Sequence, residues 1–144
     1  MLIYFSEWQP AYSPIFPKLI ALTPEVAIMH VPEPVLVVKR FDRQPSDEAI
    51  QRLHCIDSGQ ALDLGVNYRY ERNYGSGRNV AHIRNGVSLE CVFSIAALSQ
   101  AEAATRMGLL RWSLVQHLIG NSDAHGKNLS FLVEPGGLRL SPLR

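Results

Sequence analysis

Apolar positions along the chain follow two periods, and each predicts a different element. From Gln100 to Ile119 apolar residues fall at Ala103, Met107, Leu110, Leu114 and Leu118, with Val115 and Ile119 widening the stripe. That spacing predicts an amphipathic helix whose stripe, with Trp112, packs into the core. Ser99, followed three residues on by Glu102, predicts a capping box at its start, and Gly120 a stop at its end. Ser88–Leu98 is apolar and reads as a further helix, and Ser58–Leu64 as a short one closed by Gly65. Val35–Val38, set between Pro34 and the polar run Lys39–Asp42, predicts a buried strand, and Ile50–His54 a second short one. Leu129–Val133 and Leu138–Leu140, joined across Glu134-Pro-Gly-Gly137, predict a β-hairpin. Asn73–Asn79 is a glycine-rich loop. Six of the nine prolines lie in the first 34 residues and forbid a long helix there.

Composition narrows the class without choosing a function. The 144 residues, 47% apolar and 19% charged, suit one folded domain with a hydrophobic core. Fourteen Lys and Arg against thirteen Asp and Glu give a net charge of +1, so no basic excess argues for direct binding to nucleic acid. The sequence contains no apolar run long enough for a membrane span and no signal-peptide pattern at its start. Cys55 and Cys91 are too few for a disulfide scaffold, and a cytoplasmic protein with reduced thiols is the expectation. Met1–Pro17 carries Tyr4, Phe5, Trp8, Tyr12 and Phe16 with almost no charge, so it needs a surface to pack against. It either covers the following domain or drives dimerisation through its aromatics.

The polar insert between the long helix and the hairpin is where chemistry concentrates. Gly120-Asn-Ser-Asp-Ala-His-Gly-Lys-Asn128 presents Asp123, His125, Lys127 and Asn128 within six positions, far more polar groups than a turn needs. Asp123 and Asn128 stand in a D-x-x-x-x-N arrangement. In protein kinases that spacing places a base for the substrate hydroxyl and an amide for magnesium, and the loop lies between a helix and a hairpin as here. The Gly75–Gly77 loop lacks both the G-x-G-x-x-G pattern and a Walker lysine. The histidines and cysteines show no paired zinc-ligand spacing.

Three blocks carry a resemblance. Val37-Val-Lys-Arg-Phe-Asp-Arg43, Arg52-Leu-His-Cys-Ile-Asp-Ser-Gly-Gln-Ala-Leu62 and Leu118-Ile-Gly-Asn-Ser-Asp-Ala-His-Gly-Lys-Asn128 resemble, in order, blocks of the HipA-like serine/threonine kinases, toxins of bacterial toxin–antitoxin pairs. The resemblance runs from about Ala21 to the C-terminus. It implies an α+β, mostly α fold, that of a protein-kinase-like C-lobe (the HipA-like C-terminal domain), over residues 35–144, behind a proline- and aromatic-rich segment at residues 1–34. It implies ATP and magnesium as ligands. Lys39, Arg40 and Phe41 would form the hinge that holds adenine through backbone groups, with Asp42 near the ribose. Asp123 would be the catalytic base. His125 and Lys127 would face phosphate oxygens, and Asn128 would hold magnesium and so contribute to the nucleotide site. Asp57 and Gln60 match a helix opening of the family, although Ile56 stands where an acidic residue is expected. A protein substrate, for example of the translation machinery, and a helix-turn-helix antitoxin are the partners implied.

The sequence departs from a complete kinase in its phosphate-holding parts. No glycine precedes Gly59, so no glycine-rich loop stands before the hinge; Lys18 is the one upstream lysine. No aspartate follows Asp123, and Glu134 is the only later acid. The resemblance therefore implies a C-lobe incomplete at both ends, and three readings stay open. The chain is a weak or inactive kinase fragment, or a noncatalytic module that binds an antitoxin, or one part of an enzyme completed by a second chain.

Overall fold

β-Branched residues dominate the first elements, and they form hydrogen-bonded strands. The computed structural model describes residue 24 and residues 26–46, 49–79, 81 and 83–142. The aromatic start, with the covering or dimerising role expected of it, lies outside them. β1 (Val26–Val31) pairs antiparallel with β2 (Glu33–Val38) around a turn at Pro32, with Val26 opposite Val38. The ladder runs through residues 34 and 35, and Pro34 pairs with His30. The strand expected at Val35–Val38 is present, but it is not buried: Val37 and Val38 are 40% and 47% exposed. Val26, Ile28 and Met29 on the partner strand are exposed as well. A two-stranded ribbon satisfies its own backbone, yet it buries side chains only where another layer covers it. A second small hairpin follows, β3 (Arg43–Pro45) with β4 (Ile50–Arg52).

From residue 55 onward the chain builds a core. β5 (Cys55–Asp57) leads directly into helix α1 (Ser58–Ala61). Asp57 is its N-cap: Oδ1 accepts the Gln60 N–H at 2.9 Å, and Gln60 Oε1 accepts the Asp57 N–H at 3.0 Å. The helix is shorter than the predicted Ser58–Leu64. Asp63 turns to φ +55 and ends it, and Gly65 instead opens a 3-10 turn over Val66–Tyr68. β6 (Arg72–Asn73) and β7 (Arg84–Asn85) pair across the glycine-rich loop. Helix α2 (Leu89–Ser94) is capped by Ser88, whose Oγ accepts the Cys91 N–H, and it tightens into a 3-10 turn at Ile95–Leu98. Helix α3 (Glu102–Leu118) follows, then a 3-10 turn at Gly126–Asn128 and the hairpin of β8 (Ser130–Glu134) and β9 (Gly137–Leu140). β5, β8 and β9 form one sheet in that order, all antiparallel.

Two expectations about α3 change. Ser99 and Glu102 make no capping box. Ser99 bridges to Leu138 and hydrogen-bonds Thr105 Oγ1 at 2.7 Å, so Ala101 occupies the N-cap instead. The buried face keeps the predicted Trp112 but not the rest of the predicted stripe. Thr105, Gly108, Leu109 and Trp112 point inward, at spacings of three and four. Met107, Leu110, Leu114 and Leu118 lie outward, Leu114 at 50% and Leu118 at 70% exposure. The helix carries two apolar faces. The small residues Thr105 and Gly108 belong to the face that packs, beside the bulk of Leu109 and Trp112. The core joins that face to Val92, Ile95 and Ala96 and to Leu129, Phe131 and Leu138 around the sheet. Helix and strand are both well represented among the described residues, so the fold is mixed α and β, and the expectation of a mostly α fold does not hold.

Candidate active site

The Asp123 loop is held at both ends. At its start α3 finishes in a Schellman turn: Gly120 takes φ +65, its N–H reaches the His117 carbonyl at 3.2 Å, and the Asn121 N–H reaches the Gln116 carbonyl at 3.0 Å. Gly120 is thus the predicted stop. At its end Leu129 is fully buried, and its carbonyl accepts the Ser58 N–H at 3.2 Å. Helix α1 and β5 both lie against the turn at Gly126–Asn128. Between these ends Asn121, Ser122, Asp123 and Lys127 are exposed, while His125 and Asn128 are half-buried.

Within the loop, Asp123 is exposed, and its N–H is bound by Asn121 Oδ1 at 3.1 Å. Its carboxylate is met by a residue that sequence reasoning did not single out. Tyr70 Oη donates to Asp123 Oδ1 at 2.5 Å. The Tyr70 ring also stands edge-on to His125, with centroids 5.1 Å apart. The hydrogen bond to Asp123 raises the Tyr70 phenol above its ordinary value of 10.0. Fifty-three positions separate the two residues, and no local motif joins Arg69-Tyr70-Glu71 to the loop, so the sequence offered no signal for the pair. Asn128 turns inward: its Oδ1 accepts the His125 N–H at 2.7 Å. The structure thus links Asp123, His125 and Asn128 through Tyr70 and the backbone. Lys127 projects from the same turn as an exposed side chain.

Gly126 shows how closely the neighbouring segments fit. Its N–H donates to the Arg69 carbonyl at 3.0 Å, and a Cβ there would come within 2.6 Å of Val87 Cγ1. A cleft of about 330 Å³ opens beside this junction, lined among others by Arg69, Tyr70, Val87, Trp112, Asn121 and His125.

The expected hinge, Lys39–Asp42, connects to this region through the backbone. The Leu53 N–H donates to the Asp42 carbonyl at 3.1 Å, two residues before β5 enters the sheet that supports the loop. Its acid is occupied. Arg40 donates to both Asp42 carboxylate oxygens, at 2.8 and 2.6 Å, and Arg43 adds a bond of 2.7 Å. The Arg40 hydrogen bonds lower the Asp42 pKa from 3.8 to about 2. Among the described residues no three His, Cys, Asp or Glu side chains gather where they could hold a metal ion. Asn128 Oδ1 accepts a backbone N–H, and its second lone pair is the one that would face magnesium.

Comparison with known proteins places the chain. The model of the HipA-like C-terminal domain matches residues 18–143, and the chain belongs to that family. The serine/threonine-protein kinase toxin HipA of Shewanella oneidensis is 46% identical over 109 residues, which cover 74% of this chain and 25% of that protein. The Y4mE protein of Sinorhizobium fredii is 31% identical over 111 residues, 76% of this chain and 24% of its own length. Among solved structures, the Shewanella oneidensis MR-1 complex of HipA, HipB and operator DNA matches with a TM-score of 0.74 and 40% identity, over 88% of this chain and 31% of that one. The chain spans about a quarter of the length of the curated relatives it matches. No helix among the described residues is long and apolar enough to cross a membrane.

Proposed function

We propose that this chain carries the catalytic-loop lobe of a HipA-like protein serine/threonine kinase, with Asp123 as the base for a substrate hydroxyl. One observation carries the reading: an exposed carboxylate sits on a loop fixed by a helix on one side and a hairpin on the other, in a chain 46% identical to a kinase toxin. Asp123 accepts the hydroxyl proton of a Ser or Thr as its oxygen attacks the γ-phosphorus of ATP. Lys127, exposed one turn away, supplies positive charge toward phosphate oxygens. The Lys39–Asp42 segment offers backbone groups to adenine, and the Asp42 carboxylate shapes that segment by binding Arg40 within it and Arg43 just after it. Residues 1–144 contain no glycine before Gly59 and no aspartate after Asp123, so transfer by these residues alone is expected to be weak.

A second reading has its own support. The matching solved structure is a complex of HipA with HipB and operator DNA. On that reading the chain binds a helix-turn-helix antitoxin without catalysis.

The test is transfer of labelled γ-phosphate from magnesium-ATP to a generic acceptor such as myelin basic protein. Weak transfer by the wild-type chain that falls by about 10²- to 10⁴-fold in Asp123→Asn supports the first reading. Equal transfer in both variants overturns it. No transfer, together with stable capture of a purified HipB-like protein, favours the second.

A further inference from the structure

Tyr70 is the one side chain in hydrogen-bond contact with the Asp123 carboxylate among the described residues, and the fold goes to some length to keep it there. Its segment is clamped from two sides. The Arg69 carbonyl accepts the Gly126 N–H of the catalytic loop at 3.0 Å, and the Tyr68 carbonyl accepts the Val87 N–H at 2.9 Å. Gly86, at φ +101, presses so closely that a Cβ would lie 2.1 Å from the Tyr70 carbonyl oxygen. The ring itself is flanked by His125, edge-on, and by Arg69, whose guanidinium carbon lies 5.1 Å from the ring centroid.

A lone aspartate on an exposed loop exchanges among its χ1 rotamers and turns freely about its terminal torsion. A base must instead present a chosen oxygen to the hydroxyl it deprotonates, and a small misplacement is costly. A carboxylate has two oxygens with about four lone-pair sites, so one can be anchored while the other works. Here Oδ1 is anchored by the phenol, and Oδ2 has no partner among the described residues.

We infer that Tyr70 is a positioning residue that holds the Asp123 side chain in one χ1 rotamer through Oδ1 and so turns Oδ2 toward the reacting hydroxyl. The inference rests on Asp123 being the base. It gives the Tyr70 segment a role for which the D-x-x-x-x-N loop alone has no counterpart.

The experiment uses the full 144-residue chain, labelled with ¹³C and ¹⁵N. Three-bond couplings to Asp123 Cγ report its χ1 rotamer in wild type, Tyr70→Phe and the control Tyr74→Phe. A single rotamer in wild type and control that becomes averaged in Tyr70→Phe, with the amide spectrum otherwise preserved, is the expected result. A single rotamer retained in Tyr70→Phe overturns the proposal. Should Tyr70→Phe fail to fold, the reverse variant decides. The ¹³Cζ titration of Tyr70 should move back toward the ordinary tyrosine value in Asp123→Ala, and an unmoved titration overturns the contact in solution.

The transfer assay adds the catalytic arm. Tyr70→Phe should lower kcat by up to about 10²-fold with the KM for ATP unchanged. A faster Tyr70→Phe would mean that the phenol blocks the base, and would overturn positioning. If Asp123→Asn leaves transfer intact, the kinase reading falls, and the rotamer result still decides whether Tyr70 orders the carboxylate.

Discussion

The two halves of the described chain are both hydrogen-bonded and very differently buried. Residues 26–52 form two antiparallel hairpins, and most of their large apolar side chains, among them Val26, Ile28, Met29, Val37 and Ile50, are exposed, with Leu36 and Phe41 half-buried. Residues 53–142 supply every member of the buried hydrophobic cluster, with Ile95, Leu109, Leu129 and Phe131 fully enclosed. Backbone pairing thus sets the shape of the first region, and side-chain burial sets the shape of the second. The difference bears on function, because the Asp123 loop is mounted wholly on the buried half while the candidate hinge belongs to the exposed one. The Asp123 loop therefore owes its geometry to the core, and the Lys39–Asp42 segment owes its geometry to a few surface bonds.

Core truncation is the most forceful way to break this contrast. Phe131 lies in β8, three residues after Asn128, and is fully buried. Phe131→Ala should cost about 3–5 kcal/mol in urea or thermal unfolding. Val37→Ala, in the exposed hairpin, should stay within about 0.5 kcal/mol of wild type. Comparable losses at the two sites would show that the hairpin is packed in solution, and would dissolve the comparison.

The glycines sharpen it at a smaller scale. Gly75 and Gly86 have nearly the same φ, +100 and +101, but differ in what surrounds them. A Cβ at Gly75 would meet nothing within 4 Å, while one at Gly86 would strike the Tyr70 carbonyl. Gly75→Ala should therefore cost only the backbone strain, about 1–2 kcal/mol. Gly86→Ala should cost more and also shift the Tyr70 resonances, since the carbonyl must move. Equal costs at both positions would mean that the segment beneath Tyr70 yields easily and cannot serve as its clamp.

What could be read from the sequence follows the same division. The Asp123–Asn128 loop, the Gly120 stop, the Asp57–Gln60 helix opening and the β8–β9 hairpin were legible because each depends on residues close in sequence. The face of α3 was not. Both of its sides are apolar, and the choice fell to Thr105 and Gly108 packing with Leu109 and Trp112, a matter of fit across the core that no periodicity encodes. The exposure of Val35–Val38 was hidden for a similar reason: a β-branched run states that a strand forms, not what covers it. Tyr70 was missed because its partner is remote in sequence and the bond exists only after the segment of residues 68–70 is clamped against Val87 and Gly126.

The smallest effect compares the two carboxylates directly. Asp123 keeps one oxygen open, whereas Asp42 gives both of its oxygens to Arg40 and a further bond to Arg43. The lowered Asp42 pKa fixes the sign of its pH dependence. A carboxyl whose folded value lies below its unfolded one adds stability that is fully present above about pH 4 and is lost as pH falls toward about 2. The ¹³Cγ titration of Asp42 should show its midpoint near 2 in the wild-type chain. In Arg40→Ala it should rise part of the way toward 3.8, because Arg43 still binds Oδ2. The melting temperature should barely move, since Arg40 is largely exposed and solvent screens the pair, and added salt should shrink the difference further. A midpoint unchanged in Arg40→Ala would place the hold on Arg43 alone. That would free Arg40 from ordering Asp42 and leave the segment's shape to Arg43 and the Leu53–Asp42 backbone bond.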